Sequence, residues 1–490
     1  MPIEFSLDQI NNRIKFENPW WSTSTVGEFY QKMQRREYFK LFFPLVNQTT
    51  IKRAVVLMGP RRVGKTVLIF HVIQELIRNG VNPKNICYFS IETPLFNGIG
   101  LDELLNIFLK FNQLNPKDEA FVFFDEVQYL KNWEIHLKSL VDSYHKIKFI
   151  VSGSAAAALK LKSIESGAGR FTDFKLPPLT FYEYLSLTNR NDLIFEQRIK
   201  ASTNDSTNDK TTYHTNDIER LNTYFFEYIN FGGYPEVSLS PQIQADPGRY
   251  IRNDIIDKVL LRDLPSLYGI QDIQELNSLF TYLAYHSGNE VSLDGISKNS
   301  GVVKNTIKKY LTYLEAAFLI KIVNRIDSSA KKFKRANFFK VYLTNPSLRS
   351  ALFSPIDKRD AFAGNMVETA IYSQWQHNEG TPLYYARWDG GEIDMVSLDS
   401  RQKVLWCVEI KWSNRFAENP SELKNLKLFC RKHNLGGGPG ITTIDIEKEI
   451  DYDGMILRFI PASLYCYTVG KYLVDGKLTD TNPQAVALAL

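Results

Sequence analysis

Apolar residues recur along this chain in two rhythms, and the change from one to the other marks its parts. Over residues 1–50 they follow helical spacing, mixed with aromatic and basic residues (Pro19-Trp20-Trp21, Arg35-Arg36), which predicts a helical lead-in. From Ala54 to about Leu185 short apolar runs at 54–58, 86–90, 120–124 and 149–151 alternate with helical stretches. That alternation predicts a parallel α/β sheet, assigned to 51–190. Residues 201–217 are rich in Ser, Thr, Asn and Asp with almost nothing apolar to bury, so 191–220 is expected to be a disordered loop. Helical spacing resumes near Leu221 and defines a helical region over 221–350. A last α/β stretch lies within 360–465, where Gly436-Gly437-Gly438-Pro439-Gly440 must be loop, and 466–490 reads as a tail.

Composition adds limits. At 490 residues the chain exceeds one hydrophobic core, and about three domains are expected. Lys and Arg number 59 against 54 Asp and Glu, a net +5, which excludes a polycationic tail but allows a local basic patch. The four cysteines (Cys87, Cys407, Cys430, Cys466) are far apart in sequence with no CxxC pair, so neither a disulfide framework nor a zinc site is expected. The start, Met-Pro-Ile-Glu-Phe-Ser, is not that of a signal peptide, and no apolar run approaches the ~20 residues that span a bilayer. A cytoplasmic protein without a membrane partner is the expectation.

Gly59-Pro60-Arg61-Arg62-Val63-Gly64-Lys65-Thr66 fits the GxxxxGK[ST] phosphate-binding loop, between an apolar strand and a helical run. Its glycines let backbone N–H groups approach phosphates, and the helix N-terminus adds positive potential. Lys65 is placed to reach the β and γ phosphates of ATP, and the Thr66 hydroxyl to bind Mg²⁺. A second strand ends in Asp125-Glu126, where Asp125 fits the outer sphere of the Mg²⁺ and Glu126 the polarisation of an attacking water. The strand and helix between the two motifs, together with Glu126, resemble the hydrolysing branch of P-loop ATPases. The next strand ends in Ser152-Gly153-Ser154, and Ser154 is the expected γ-phosphate sensor.

These motifs, with Asp125-Glu126-Val127-Gln128, Gly169-Arg170-Phe171 and Gly232-Gly233-Tyr234-Pro235 in that order, resemble the AAA-type ATPases of bacteria and archaea that end in a nuclease-like domain. The resemblance runs from about Arg35 to Phe459. It implies an α/β chain with a P-loop ATPase core, a winged-helix middle and a restriction-endonuclease-like domain of the PD-(D/E)xK superfamily. It also makes Arg170 an arginine finger acting in trans, with a homo-oligomer among the expected partners.

The middle carries its own signal. Residues 293–298 and 306–317 read as helices around Gly301, followed by strands at 319–324 and 338–343, the order of a winged helix. Its wing is basic (Lys331, Lys332, Lys334, Arg335, Lys340), and Lys304, Lys308 and Lys309 line the second helix, so DNA is an expected partner. The family has an Asp after its Lys-x-Tyr strand; here Lys340-Val341-Tyr342 is followed by Asn345.

Near the C-terminus Gly391-Glu392-Ile393-Asp394 is followed by Val408-Glu409-Ile410-Lys411. A β-hairpin would set Asp394 beside Glu409, and strand alternation puts Glu409 and Lys411 on one face. Two such carboxylates suit Mg²⁺, a hard cation that prefers oxygen, while Lys411 orients or activates a water. Glu368 matches the family's helical carboxylate. The expected function is therefore ATP hydrolysis, with a Mg-dependent nuclease under nucleotide control. The alternative is a non-nucleolytic, ATP-gated scaffold that binds a protein partner.

Overall fold

The computed structural model describes residues 6–96, 98–153, 169–199, 210–332, 337–376 and 381–476. The chain divides into two compact units, 1–177 and 178–490.

Among the described residues, the first unit holds a five-stranded sheet of β1 (Ala54–Met58), β2 (Ile86–Ser90), β3 (Ala120–Asp125), β4 (Ile147–Gly153) and β5 (Phe171–Lys175). All pairings are parallel, in the order β2-β3-β4-β1-β5. β1 and β3 are buried along their whole length, which is why they read as unbroken apolar runs. Helices Lys65–Arg78, Leu101–Phe111 and Trp133–Ser143 supply the crossovers. The lead-in is part of this unit. Its helix Leu7–Glu17 starts with a capping box, in which Ser6 and Gln9 satisfy each other's backbone N–H groups. Beyond it, Asn18 straddles the outer edge of β2: Nδ2 donates to Tyr88 O at 2.9 Å, and Tyr88 N donates to Asn18 Oδ1 at 2.7 Å. Trp20 and Trp21 each donate an indole N–H to Ile86 O, and Ser90 N donates to Glu17 Oε2. The edge strand thus has side chains where a further strand would pair.

In the second unit the expected loop at 191–220 is partly strand. β6 (Ile194–Ile199) and β7 (Lys210–Thr215) pair antiparallel from Ile194↔Thr215 to Ile199↔Lys210. The flanks have a reason to fold: Tyr213 is buried and packs edge-on against Tyr467 and Tyr472. The segment 200–209 lies outside the described residues. The tail expected from 466 is also corrected, since helix Ala462–Val474 is buried along most of its length.

The main sheet of this unit has nine strands within the described residues, ordered β15-β16-β14-β13-β12-β11-β9-β10-β8. They are β8 (Glu290–Ser292), β9 (Ile320–Ile326), β10 (Phe338–Leu343), β11 (Leu383–Trp388), β12 (Gly391–Leu398), β13 (Val404–Glu409), β14 (Gly440–Thr443), β15 (Lys448–Asp451) and β16 (Ile456–Pro461). Helices Leu293–Ser300 and Lys304–Ala316 flank Gly301, whose φ of 75° makes the left-handed turn, and Ile296, Val302, Ile307, Leu311 and Leu314 are buried. The hairpin after these helices, expected as that of a winged helix, is held on both sides. β9 pairs antiparallel with β10 and parallel with β11, so the hairpin is an interior part of the nine-stranded sheet. Ile326 joins the same core as Ala386 and Ile393. Cys407 and Cys430 meet in that core as thiols, sulfur to sulfur 3.5 Å, although 23 residues separate them. Among the described residues, no helix is long and apolar enough to cross a membrane.

Candidate functional site

The first unit builds its site at the ends of β1, β3 and β4. Gly59 leaves β1 where a Cβ would stand 2.1 Å from Leu176 O, so no other residue fits there. Gly64 (φ 91°) turns the loop into helix Lys65–Arg78. Arg62 is also left-handed (φ 64°), and Arg61 lies within 3.4 Å of the Tyr129 hydroxyl. Lys65 is buried, and its ammonium donates to Gly59 O and Pro60 O at 3.1 and 2.9 Å. Arg36 holds the loop from behind, donating to Val63 O at 2.8 Å and Pro177 O at 3.1 Å.

β4 lies between β1 and β3, yet the two motifs touch: Thr66 Oγ1 donates to Asp125 Oδ2 at 2.7 Å. The same oxygen accepts from Tyr88 at 2.8 Å, and Ser152 donates to Oδ1. Burial raises the Asp125 carboxyl above its usual range and the Glu126 charge adds to this, while the Ser152, Thr66 and Tyr88 hydroxyls pull it back. Glu126 is left-handed (φ 57°), with Gln128 donating to its carboxylate. Arg170 ends in an exposed ion pair with Asp142 at 2.7 Å. Ser154 lies outside the described residues. Of that polar pair, it is Ser152 that reaches Asp125.

The second unit gathers Glu368 from helix Ala363–Trp375, Asp394 from β12, and Glu409 and Lys411 at the end of β13 around a cavity of about 310 Å³. The register Met395↔Val408 places Asp394 opposite Glu409. The Lys411 ammonium sits between them, 2.8 Å from Asp394 Oδ2 and 2.9 Å from Glu409 Oε1. Lys340 changes the picture. Expected on a basic wing, it is buried and lies 3.0 Å from Glu368, 2.9 Å from Glu392 and 3.9 Å from Asp394. Tyr342 donates to Glu368 at 2.5 Å. Burial would lower both ammonium groups, but the surrounding carboxylates outweigh it and hold them well above the usual lysine range. Lys411 is therefore held as a cation between the two carboxylates. Burial likewise raises Asp394, but Lys411 and Lys340 outweigh it and hold that carboxyl low. Glu409 is pushed up to about 7 by burial and by the Asp394 charge, with Lys411 opposing. Among the described residues, no three His, Cys, Asp or Glu side chains are grouped to hold a metal ion as they stand. Ammonium groups occupy the space between the carboxylates.

The remaining expected residues separate. Lys308 and Lys309 are exposed, while Lys304 pairs with Asp294. Lys331 and Lys332 are exposed, and Lys334 and Arg335 lie outside the described residues. Asn345 is fully buried: Oδ1 accepts from Ser347 N and Oγ, and Nδ2 donates to Tyr228. Sequence reasoning missed Arg36, Tyr88, Lys340 and Tyr342 as site residues. Lys340-x-Tyr342, on a strand buried at all but its first residue, was a readable signal for the last two.

The AAA domain family matches residues 51–185, the segment that carries the loop, Asp125 and Glu126. That segment is similar to AAA domains. A domain of unknown function matches 222–360. An uncharacterised protein of Methanocaldococcus jannaschii is 26% identical over 413 residues, covering 81% of this chain and 86% of its own. One of Haemophilus influenzae is 23% identical over 399 residues, covering 80% and 90%. Among solved structures, the Walker-type ATPase of Pyrococcus abyssi is 16% identical, covering 64% of this chain and 94% of its own at a TM-score of 0.36. The ORC2 protein of Aeropyrum pernix, in ADPNP–ADP complexes, is 13% identical, covering 69% and 95% at a TM-score of 0.38. Residues 51–185 and 222–360 thus each match a family model.

Proposed function

We propose that this chain hydrolyses ATP in association with DNA, and that nucleotide state controls a Mg-dependent phosphodiesterase site in its second unit. The observation that carries the ATPase reading is the 2.7 Å bond from Thr66 to Asp125 beside the buried Lys65. Thr66 and Asp125 would hold Mg²⁺, which neutralises phosphate charge when bound. Residues 59–64 cradle the phosphates, Lys65 leaves the loop carbonyls for them, and Glu126 orients the water. Arg170 acts on the nucleotide of a neighbouring copy. Lys65→Ala is expected to abolish nucleotide binding and Glu126→Gln to trap bound ATP, and rapid turnover by Glu126→Gln would refute that role.

In the second unit, Asp394 and Glu409 would hold a divalent cation with help from Glu368. The fit rests on Glu409 Oε2, which is buried with no hydrogen-bond partner among the described residues. Water adds to phosphorus, the bond to the leaving oxygen breaks, and the water's proton ends on that oxygen. Lys411 orients the water. Exposed Lys308 and Lys309 supply a DNA-facing charge. The test is a metal-dependent plasmid nick that disappears in Asp394→Ala and Lys411→Ala. The ammonium groups between the carboxylates favour a second reading, an ATP-gated scaffold without cleavage. Stimulation of the ATPase by a protein partner and not by duplex DNA would select it.

A further inference from the structure

The second-unit cavity is lined by five carboxylates, those of Glu290, Glu368, Glu392, Asp394 and Glu409, and by three cations, Lys340, Arg387 and Lys411. With every carboxyl ionised two negative charges remain, which one divalent cation would balance. The cations are not equivalent. Arg387 is 44% exposed, whereas Lys340 is 5% exposed and arrives from β10, two strands across the sheet from β11. The backbone of Lys340 is fixed by pairing with Glu290 on β8 and Val323 on β9. Its ammonium has three carboxylates within 3.9 Å.

Asp394 faces Lys340 with Oδ1 and Lys411 with Oδ2. One carboxylate bridging two cations is the layout of a two-metal hydrolytic site, in which paired ions about 3.5–4 Å apart clamp the attacking and leaving oxygens. A buried lysine cannot leave this position cheaply, because Glu368, 14% exposed, would lose its ion pair, while Asp394 and Glu392 would keep only Lys411 and Arg387. We propose that the Lys340 ammonium is a built-in cation of the site, standing where a second divalent ion would otherwise bind. The site then takes a single divalent ion, for which the Lys411 side chain, 28% exposed, gives way between Asp394 and Glu409, while the more buried Lys340 stays and meets the substrate phosphate from the Glu368–Glu392 side. This rests on the phosphodiesterase reading and adds to it the number of ions and the source of the second charge.

The experiment counts Mn²⁺ bound by the full chain without nucleotide, by electron paramagnetic resonance of the free ion, and subtracts the count for Asp394→Ala in the same background. Wild type is expected to bind one Mn²⁺ that depends on Asp394. Lys340→Met, which keeps the length of the stem, is expected to bind two, and Lys340→Arg one. Circular dichroism establishes that each variant is folded, and Lys340→Arg reports on charge if Lys340→Met does not fold. Two Asp394-dependent ions in wild type, one in folded Lys340→Met, or two in Lys340→Arg would each overturn the inference while leaving the metal site standing. No Asp394-dependent ion in any background would overturn the phosphodiesterase reading itself, and the inference with it.

Discussion

Arg36 lies outside every phosphate-loop motif, yet the geometry makes it part of the loop. Its guanidinium is 4% exposed and donates to Val63 O and Pro177 O, tying the residue before Gly64 to the segment after β5. Arg36→Met keeps the apolar stem and removes both donors. A hydrogen bond involving a charged group contributes about 1.5–3 kcal/mol, and desolvating the guanidinium offsets part of that, so a net loss of about 3 kcal/mol is expected for the pair. In a unit of this size that corresponds to a fall in Tm of roughly 6–12 °C. Because Val63 is in the loop, its freed carbonyl also loosens the phosphate cradle, and ATP affinity should fall on the order of tenfold, the equivalent of about 1.4 kcal/mol. Thermal unfolding with and without ATP·Mg²⁺ measures both, the second as a smaller ligand-induced rise in Tm. A melting point within ~2 °C of wild type, with an unchanged increment from nucleotide, would refute the clamp.

Three further outcomes are expected. Lys148 is buried with its ammonium on Gln48 O, and burial lowers its pKa from 10.5 to about 8. The folded state therefore binds this proton less tightly than the unfolded chain, carries the full cost below pH 8, and recovers it as pH rises to 10.5; Lys148→Met should stabilise by at most about 3 kcal/mol at pH 7 and by nothing above 10.5, with equal melting at pH 7 counting against it. Asn345→Asp keeps the acceptor for Ser347 but loses the donor to Tyr228 and buries a charge, so urea unfolding should show a loss of about 1–3 kcal/mol. Asn18→Ala removes two hydrogen bonds at the β2 edge and one to Ile14 O and should cost about 2–4 kcal/mol, with light scattering reporting association beyond that of the wild type.

What the sequence disclosed was local. β1 and β3 are apolar runs that end in their motifs, and the phosphate loop is eight consecutive residues, so both could be read without knowing the fold. β5 (Phe171–Lys175) was missed because it is only half-buried and reads as mixed polar. Tyr88 and Ser152 reach Asp125 only because β2 and β4 flank β3, an order that spacing does not reveal. Lys340 was misread for a related reason. Its neighbours Lys331, Lys332, Lys334 and Arg335 make the segment look solvated, whereas the pairing of Asn324 with Tyr384, sixty residues on, draws the hairpin into the sheet. Asp394, Glu409 and Lys411 were placed together by one hairpin; Lys340, which joins them from β10, was not.

The pairing of β9 with β11 also limits how the second unit can move. Helix Lys304–Ala316 leads directly into β9, and β9 pairs with β10 and β11 in the sheet that also holds β12. The helix pair and the carboxylates are therefore a single lever with no hinge between them. Drawing Lys340 out of the cluster would break the five-residue register of β9 with β10, at about 0.5–1.5 kcal/mol for each bond lost. A signal arriving at those helices would tilt the cavity as a whole, changing what can enter it and leaving the distances inside it as they are.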